Sequence, residues 1–218
     1  MWCSGSGPVF RQAMTLIVGV TGGIGCGKTT VTDLLAARGA AVVDTDAVAH
    51  QLTGVSGAAM SAIAAAFGTT VVRPDGSLDR AAVRRLVFAD TSARTRLESI
   101  LHPMIRRESE VRCDAAARAN APYVLLVVPL LVETGGYRER VARILVVDCS
   151  EEVQVSRVMA RSGLSADEVR AIMATQASRA TRLAAADDVV LNDDGLDSLH
   201  EQLDILHARY LKLAVPDT

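Results

Sequence analysis

The sequence predicts an α/β fold of three layers, with helices on both faces of a parallel sheet. Three observations carry that expectation. An apolar, β-branched run at residues 15–21 is followed by a glycine-rich turn, a helical stretch and a second apolar run at 40–43. Strand, helix, strand in that order is the unit from which parallel sheets are built. Three further short, largely apolar runs stand at 123–128, 143–147 and 189–191, which suits strands covered on both faces. Helical patterns fill the long intervals between them. At 218 residues, with 50% hydrophobic and 22% charged, the chain has the size and composition of one domain with a full core.

The elements follow in order. Residues 1–13 are small, polar and aperiodic and read as a leader or remnant outside the fold. After the first strand, residues 28–38 carry Val31, Leu34 and Leu35 at helical spacing, with Gly39 as the stop signal. Asp44 closes the second strand. Short helices are expected over 47–52 and 58–67, then a turn at Arg73-Pro74-Asp75-Gly76. Asp79 is placed to cap a helix over 80–89, and Thr91 or Ser92 a long helical stretch reaching about 119. Pro103 falls inside that stretch and predicts a break or kink near His102. Beyond the fourth strand, 150–162 reads as helix, and Ser165-Ala166-Asp167-Glu168 is a capping box for a helix to about 176. The chain closes on an amphipathic helix over 196–213, with Leu199, Leu203, Leu206 and Tyr210 on one face. Helical lobes are thus inserted after the second and fourth strands.

Gly22-Gly23-Ile24-Gly25-Cys26-Gly27-Lys28-Thr29 fits G-x-x-x-x-G-K-[ST], preceded by a strand and followed by a helix as that motif requires. Glycines let successive backbone N–H groups turn inward around a phosphate, and the helix aims its positive end at the same point. The nucleotide-binding candidates are Gly23, Ile24, Gly25, Cys26, Gly27, Lys28, Thr29 and Thr30, with Lys28 reaching the β- and γ-phosphates and the Thr29 hydroxyl ligating Mg²⁺. Of 23 basic residues only Lys28 and Lys212 are lysine, so a chain that uses arginine almost everywhere has a lysine at the one place a compact ammonium is needed. No Asn-Lys-x-Asp run marks a guanine-reading switch protein, and the third strand runs into Pro129-Leu130-Leu131-Val132-Glu133 rather than the acidic pair of a motor ATPase. A phosphate loop, two helical insertions and an arginine-bearing lid on about 200 residues suit a small-molecule kinase.

Asp44 and Asp46 stand at the carboxyl end of the second strand, where open parallel sheets hold their ligands. Either could cap the next helix; Asp46 is the stronger candidate to take a proton from an attacking hydroxyl. Arg157 and Arg161 share a helix face just before Ser162-Gly163, a hinge signal, and an arginine on a closing lid meets the charge of a transferring phosphoryl group. Arg161 is the preferred catalytic arginine; Arg179 and Arg182 are weaker candidates. His102 is a candidate for substrate contact, while His50, His200 and His207 suit structural or solvent roles. Four cysteines at 3, 26, 113 and 149 form no C-x-x-C pair, which excludes common zinc and dithiol sites. Cys113 and Cys149 read as packing thiols, and Cys26, beside a helix N-terminus and Lys28, as a reactive one that bound ATP would shield. Net charge −2 and 3% aromatics point away from nucleic acid, and no apolar run reaches the ~18–20 residues that span a bilayer. The expectation is a cytoplasmic protein without membrane, nucleic-acid or obligate protein partners.

Several runs together resemble the dephospho-CoA kinase family: the phosphate loop from Val20, Val43-Asp44-Thr45-Asp46, Leu78-Asp79-Arg80, Ile100-Leu101-His102-Pro103, Pro129-Leu130-Leu131-Val132-Glu133 and Ala185-Ala186-Asp187. The resemblance spans residues 15–213. It implies a P-loop kinase fold with a five-stranded parallel sheet, a helical CoA-binding lobe and a lid. It implies transfer of the ATP γ-phosphate to the ribose 3′-hydroxyl of dephospho-CoA with Mg²⁺; the alternative is another small-molecule or nucleoside kinase. By position it makes Lys28, Asp46 and Arg161 catalytic, and Asp46, His102 and Glu133 acceptor-binding. The implied organisation is one kinase domain over 14–218, with core segments 14–46, 121–150 and 186–215, an acceptor lobe over about 47–120 and a lid over about 155–185. Two departures stand out: the family commonly has Arg-Ile-x-x-Gln in the lid, and Ile172-Met173-Ala174-Thr175-Gln176 lacks that arginine; Asn192-Asp193-Asp194-Gly195 replaces the usual Asn-x-Gly.

Overall fold

A computed structural model describes residues 15–134 and 136–215; the expected leader at 1–13, with Cys3, lies outside the described residues. The elements are β1 (Leu16–Gly22), α1 (Lys28–Ala36), β2 (Ala41–Asp44), α2 (Thr45–Leu52), α3 (Met60–Phe67), α4 (Arg80–Ala89), α5 (Thr91–Arg118), β3 (Tyr123–Val127), α6 (Leu131–Thr134), β4 (Arg143–Asp148), α7 (Glu151–Ser162), α8 (Ala166–Ala174), α9 (Arg179–Ala184), β5 (Asp188–Leu191) and α10 (Leu196–Ala214). The five strands are all parallel in the order β2-β3-β1-β4-β5, as a five-stranded three-layer fold requires.

Alternation within the apolar strands builds two cores at once. Val18, Val20, Leu125, Leu145 and Val147 face Val31 and Leu35 of α1 and Leu199, Leu203 and Tyr210 of α10. Their neighbours Val124, Leu126, Ile144 and Val146 pack with Cys113 and Ala116 of α5 and Leu183 of α9. A third cluster, including Val48, Leu52, Met60, Ile63 and Val83, packs against Leu97, Ile100 and Leu101 of α5, so α2–α5 carry a small core of their own. Because all strands point the same way, the ends of β1, β2, β3 and β4 deliver Gly22, Asp44, Val127 and Asp148 to one edge of the sheet.

Four expectations are corrected. Helix α5 runs unbroken through Pro103 for 28 residues; the proline removes one backbone donor, and contacts of α5 with both the sheet and the lobe hold the rest in line. Its cap is Asp90, whose carboxylate accepts from Ser92 N at 2.7 Å, rather than Thr91 or Ser92. Periodicity predicts no element over 177–186, where α9 stands, capped by Ser178 through Thr181 N. Helices α1 and α8 end at Ala36 and Ala174, short of the expected 38 and 176 by less than a turn, with Gly39 at φ 104 just beyond α1. The capping box at Ser165 and Glu168 and the Asp79 cap form as expected. Among the described residues no helix is long and apolar enough to cross a membrane.

At the far edge, β5 opens with a buried carboxylate. Asp188 accepts from Arg143 Nε at 2.7 Å, Arg209 Nη1 at 2.6 Å and Tyr210 Oη at 3.0 Å, joining β4, β5 and α10. Burial pushes its carboxyl up, but the three donors outweigh it and hold the group below the usual carboxylate value. Asp188→Ala is expected to lower stability by about 3 kcal/mol, because it leaves a hydroxyl and two guanidinium groups without their acceptor. Urea unfolding near neutral pH measures this. Since the folded-state value is lowered, the Asp188 contribution is complete above its unfolded value of about 4 and is lost as pH falls through the folded one. The difference between the two proteins should therefore shrink only in strong acid.

Candidate active site

The phosphate loop is held from behind. Gly27 has φ 87 and begins α1; a Cβ there would lie 2.2 Å from Asn192 Nδ2. Asn192, buried just after β5, donates to Cys26 O at 2.8 Å. Gly25, at φ 78, leaves no room for a side chain against Gln154 O and Val158 of α7. Only glycine meets both demands, a left-handed backbone and a close approach. The first turn of α1 has no side-chain cap and no acidic residue, so its positive end is open to an anion. Lys28 Nζ donates to the carbonyls of Gly22 at 2.8 Å and Gly23 at 3.1 Å. Burial, and more weakly the nearby Arg182 and Arg161, lower its pKa; Cys26 and Asp46 oppose them. Thr29 and Thr30 are exposed at the start of α1.

The two aspartates divide the work between them. Asp44 Oδ1 accepts from Asp46 N at 2.7 Å and from Ala47 N at 3.3 Å, so Asp44 is the cap of α2. Asp46, in the first turn, is left with its carboxylate on a cleft of about 360 Å³ between α2, α5 and the segment after β3. Desolvation in that cleft, and then the charge of Asp44, raise its pKa, against the pull of Lys28, His50 and Arg80. His102, Arg106 and Tyr137 line the same cleft. Glu133 does not: its Oε1 accepts from Ala177 N at 2.8 Å, tying α6 to the loop between α8 and α9. His50 Nδ1 lies 3.3 Å from Asp46 O on the same helix.

The arginines fall into different places. Arg161 is exposed in the last turn of α7, before Gly163 at φ 68, and close enough to bear on Lys28. Arg157, one turn earlier, lies toward Cys149 and Asp193, with a buried Nη1 lacking a hydrogen-bond partner. Arg179 forms a two-pronged pair with buried Asp148, 2.6 Å at its closest. Arg182, with Arg179 one of the two weaker candidates by sequence, is the most buried: its Nη2 would lie 3.0 Å from a Cβ at Gly23, and its Nη1 donates to Ala177 O. Its Nε and Gln154 Oε1 are buried beside the loop without hydrogen-bond partners. Gln176 Oε1 accepts from Ile24 N at 3.0 Å, so α8 and α9 close on the loop itself. The signal that could have found Arg182 is Ser178, a cap three residues before Thr181; it starts α9 and turns Arg182 inward.

The thiols correct the expectation for Cys26. It is fully buried, and it accepts a hydrogen bond from Cys149 Sγ at 3.2 Å. That bond, with Lys28, lowers its pKa to about 7 despite burial, while burial raises Cys113 to about 11. The direction agrees with a P-loop thiol near a cation; the access does not, because the side chain turns back into the core rather than toward the phosphate.

Comparison with known proteins agrees with this geometry. The family model for dephospho-CoA kinase matches residues 16–198. The chain is 61% identical over 198 residues to a dephospho-CoA kinase of Dechloromonas aromatica, covering 91% of this chain and 94% of that one. A crystal structure from Thermus thermophilus superposes with a TM-score of 0.76 at 37% identity, covering 89% of this chain and 97% of that one. A dephospho-CoA kinase from Campylobacter jejuni gives 0.69 at 22% identity, over 91% of this chain and 98% of that one, and shows the same fold. The chain belongs to the dephospho-CoA kinase family.

For the thiols the expected outcome is slow labelling. In the native protein Cys26, Cys113 and Cys149 should react with iodoacetamide far more slowly than in urea, as read by peptide mass spectrometry. Rapid native labelling of Cys26 would show that the loop opens more readily than its packing implies.

Proposed function

We infer that the protein catalyses the ATP-dependent phosphorylation of the ribose 3′-hydroxyl of dephospho-CoA, giving coenzyme A and ADP. The observation that carries this reading at the site is a phosphate loop with an open helix N-terminus, next to a second cleft that opens on the uncommitted carboxylate of Asp46. Two substrates can meet there from opposite sides. Backbone N–H groups of Gly23 through Thr29 and the positive end of α1 hold the ATP phosphates. Lys28 leaves its two loop carbonyls for the β- and γ-phosphates, a short movement for a side chain already inside the loop. Arg182 from the side, and Arg161 from the lid, face the charge that spreads over the phosphoryl oxygens during transfer. The acceptor lobe of α2–α5 presents dephospho-CoA, with Asp46 and His102 on the cleft and Glu133 supporting the lid loop beside it. Asp46 takes the proton as the 3′-oxygen attacks the γ-phosphorus in line with the departing ADP oxygen.

Thr29 fits a role with magnesium: it offers an exposed hydroxyl, a hard oxygen donor, at the head of α1. Among the described residues no cluster of three or more His, Cys, Asp or Glu stands ready for a metal, which suits an ion that comes with the nucleotide and keeps several waters. Bound there, Mg²⁺ would neutralise charge on the β- and γ-phosphates.

Lys28→Ala is expected to fold normally by circular dichroism and to lose nearly all coupled ADP release in the presence of dephospho-CoA. Lys28→Arg should also be poor, since a planar fork does not replace an ammonium in a tight phosphate cradle. The same assay run over a panel of nucleosides and other small acceptors tests the substrate: ADP release stimulated best by some other acceptor would displace this reading.

Asp46→Asn separates base from cap. Because Asp44 supplies the cap, the change leaves α2 intact, and kcat should fall by roughly 10²–10⁴-fold with little change in ATP affinity. The raised pKa of Asp46 moves the acid limb of the wild-type kcat/KM profile upward from the ordinary aspartate value. The base is lost as pH falls through that raised value, and the limb should vanish in the Asn variant. An unaltered kcat would remove Asp46 from the chemistry.

A further inference from the structure

Arg106 stands apart from the other cations of α5. Three arginines on α5 or facing it are paired, Arg94 with Glu98, Arg112 with Glu108 and Arg140 with Glu110, and Arg96, Arg107 and Arg118 of the same helix are exposed. Among the described residues Arg106 has no ion pair, and its Nε is buried without a hydrogen-bond partner. It lies one helical turn beyond His102, on the wall of the cleft that Asp46 enters from α2. Asp46 is the one carboxylate among the residues lining that cleft, and Tyr137 is near enough to Arg106 to feel its charge. A buried guanidinium N–H left without an acceptor is unfavourable. Here the cost is borne beside the acceptor, where an anion would relieve it.

We propose that Arg106 is a specificity-determining residue that binds the diphosphate of the acceptor. The inference rests on the functional reading above and deepens it. In dephospho-CoA the diphosphate leaves the 5′ side of the same ribose whose 3′-hydroxyl reacts. A cation on α5 and a carboxylate on α2, facing one cleft, match an anion and a hydroxyl on one sugar. Holding the diphosphate at Arg106 anchors the acceptor in the cleft that Asp46 lines. A planar guanidinium suits this task, because it can give two parallel hydrogen bonds to phosphate oxygens. Adenosine, which lacks the diphosphate, gains nothing from Arg106.

The test compares Arg106→Gln and Arg106→Lys with the wild-type enzyme at saturating ATP, measuring KM and kcat for dephospho-CoA and the inhibition constant of adenosine as its competitor. Loss of a charge-assisted contact predicts a KM for dephospho-CoA raised about 10–100-fold in the Gln variant. The kcat, the adenosine constant and the ATP affinity should stay within about threefold of the wild type. The Lys variant should recover part of the lost affinity. A KM that hardly moves, or an adenosine constant that weakens as much as the KM, would overturn the proposal. Failure of the wild-type enzyme to turn over dephospho-CoA would sink the functional reading itself, an outcome separate from the behaviour of the variants.

Discussion

The phosphate loop can exist only because a set of groups behind it absorbs the backbone polarity that the loop turns away from the ligand. Its N–H groups must face inward, so its carbonyls face elsewhere and need donors. Asn192 supplies one to Cys26, from the end of β5, and Lys28 bonds Gly22 and Gly23. Gln154 Nε2 ties Cys149 O in the same region at 3.3 Å. The loop is therefore fastened to β4, β5 and α7 as well as to its own strand. This makes the strand order consequential: β1 lies in the middle, with β4 and then β5 on one side, so those two ends can reach the loop. The buried contact of Cys26 with Cys149 belongs to the same backing and explains why a cysteine in a phosphate loop need not be a reactive one.

The opposite side of β1 presents the cleft proposed for the acceptor. There β3 and then β2 stand in order, and the turn out of β2 sets two carboxylates two residues apart in sequence but in different employment. The helix needs one of them, since its first N–H groups have no partner inside the helix. Asp44 takes that task; burial in the cleft raises the proton affinity of Asp46, and the negative charge of Asp44 adds to that rise. A carboxylate in the proposed role of base gains from that rise. One carboxylate thus holds the helix and also tunes the other.

Much of this was legible in the sequence, and the failures have physical reasons. The strand–loop–helix order and the buried apolar runs announced the sheet, because strands covered on both faces have no polar positions to blur them. The phosphate loop and Asp46 were legible because backbone geometry and chemistry restrict their residue types. Arg182 was not, since an arginine count says nothing about which guanidinium is turned inward; that depends on α9, six residues long and too short for periodicity to mark. Pro103 misled in the other direction: a local rule predicts a break, but packing on two cores holds the helix together. Cys26 misled because sequence gives proximity to Lys28 without giving the direction of the side chain.

The lid contacts add a condition that binding must meet. Ile24 N–H, one of the donors a phosphate would use, is engaged by Gln176 Oε1. A phosphate oxygen and the Gln176 oxygen cannot both take that one hydrogen in good geometry. Entry of ATP through this N–H therefore exchanges a neutral acceptor for a charged one, and hydrogen bonds to charged groups are roughly twice as strong. The exchange favours the nucleotide, and it releases Gln176 from the loop. The rest of the segment remains fastened, through Ala177 to Glu133 and through Arg179 to Asp148. The lid loop is thus anchored at points that the phosphate does not touch and is free to adjust at the point it does. Arg182, which holds Ala177 O on the same loop, stays beside Gly23 while that adjustment takes place. A guanidinium kept in place by its own lid, with a neighbouring contact that yields to phosphate, would meet the transferring charge of the proposed reaction without a large reorganisation, which is the condition under which electrostatic stabilisation is most effective.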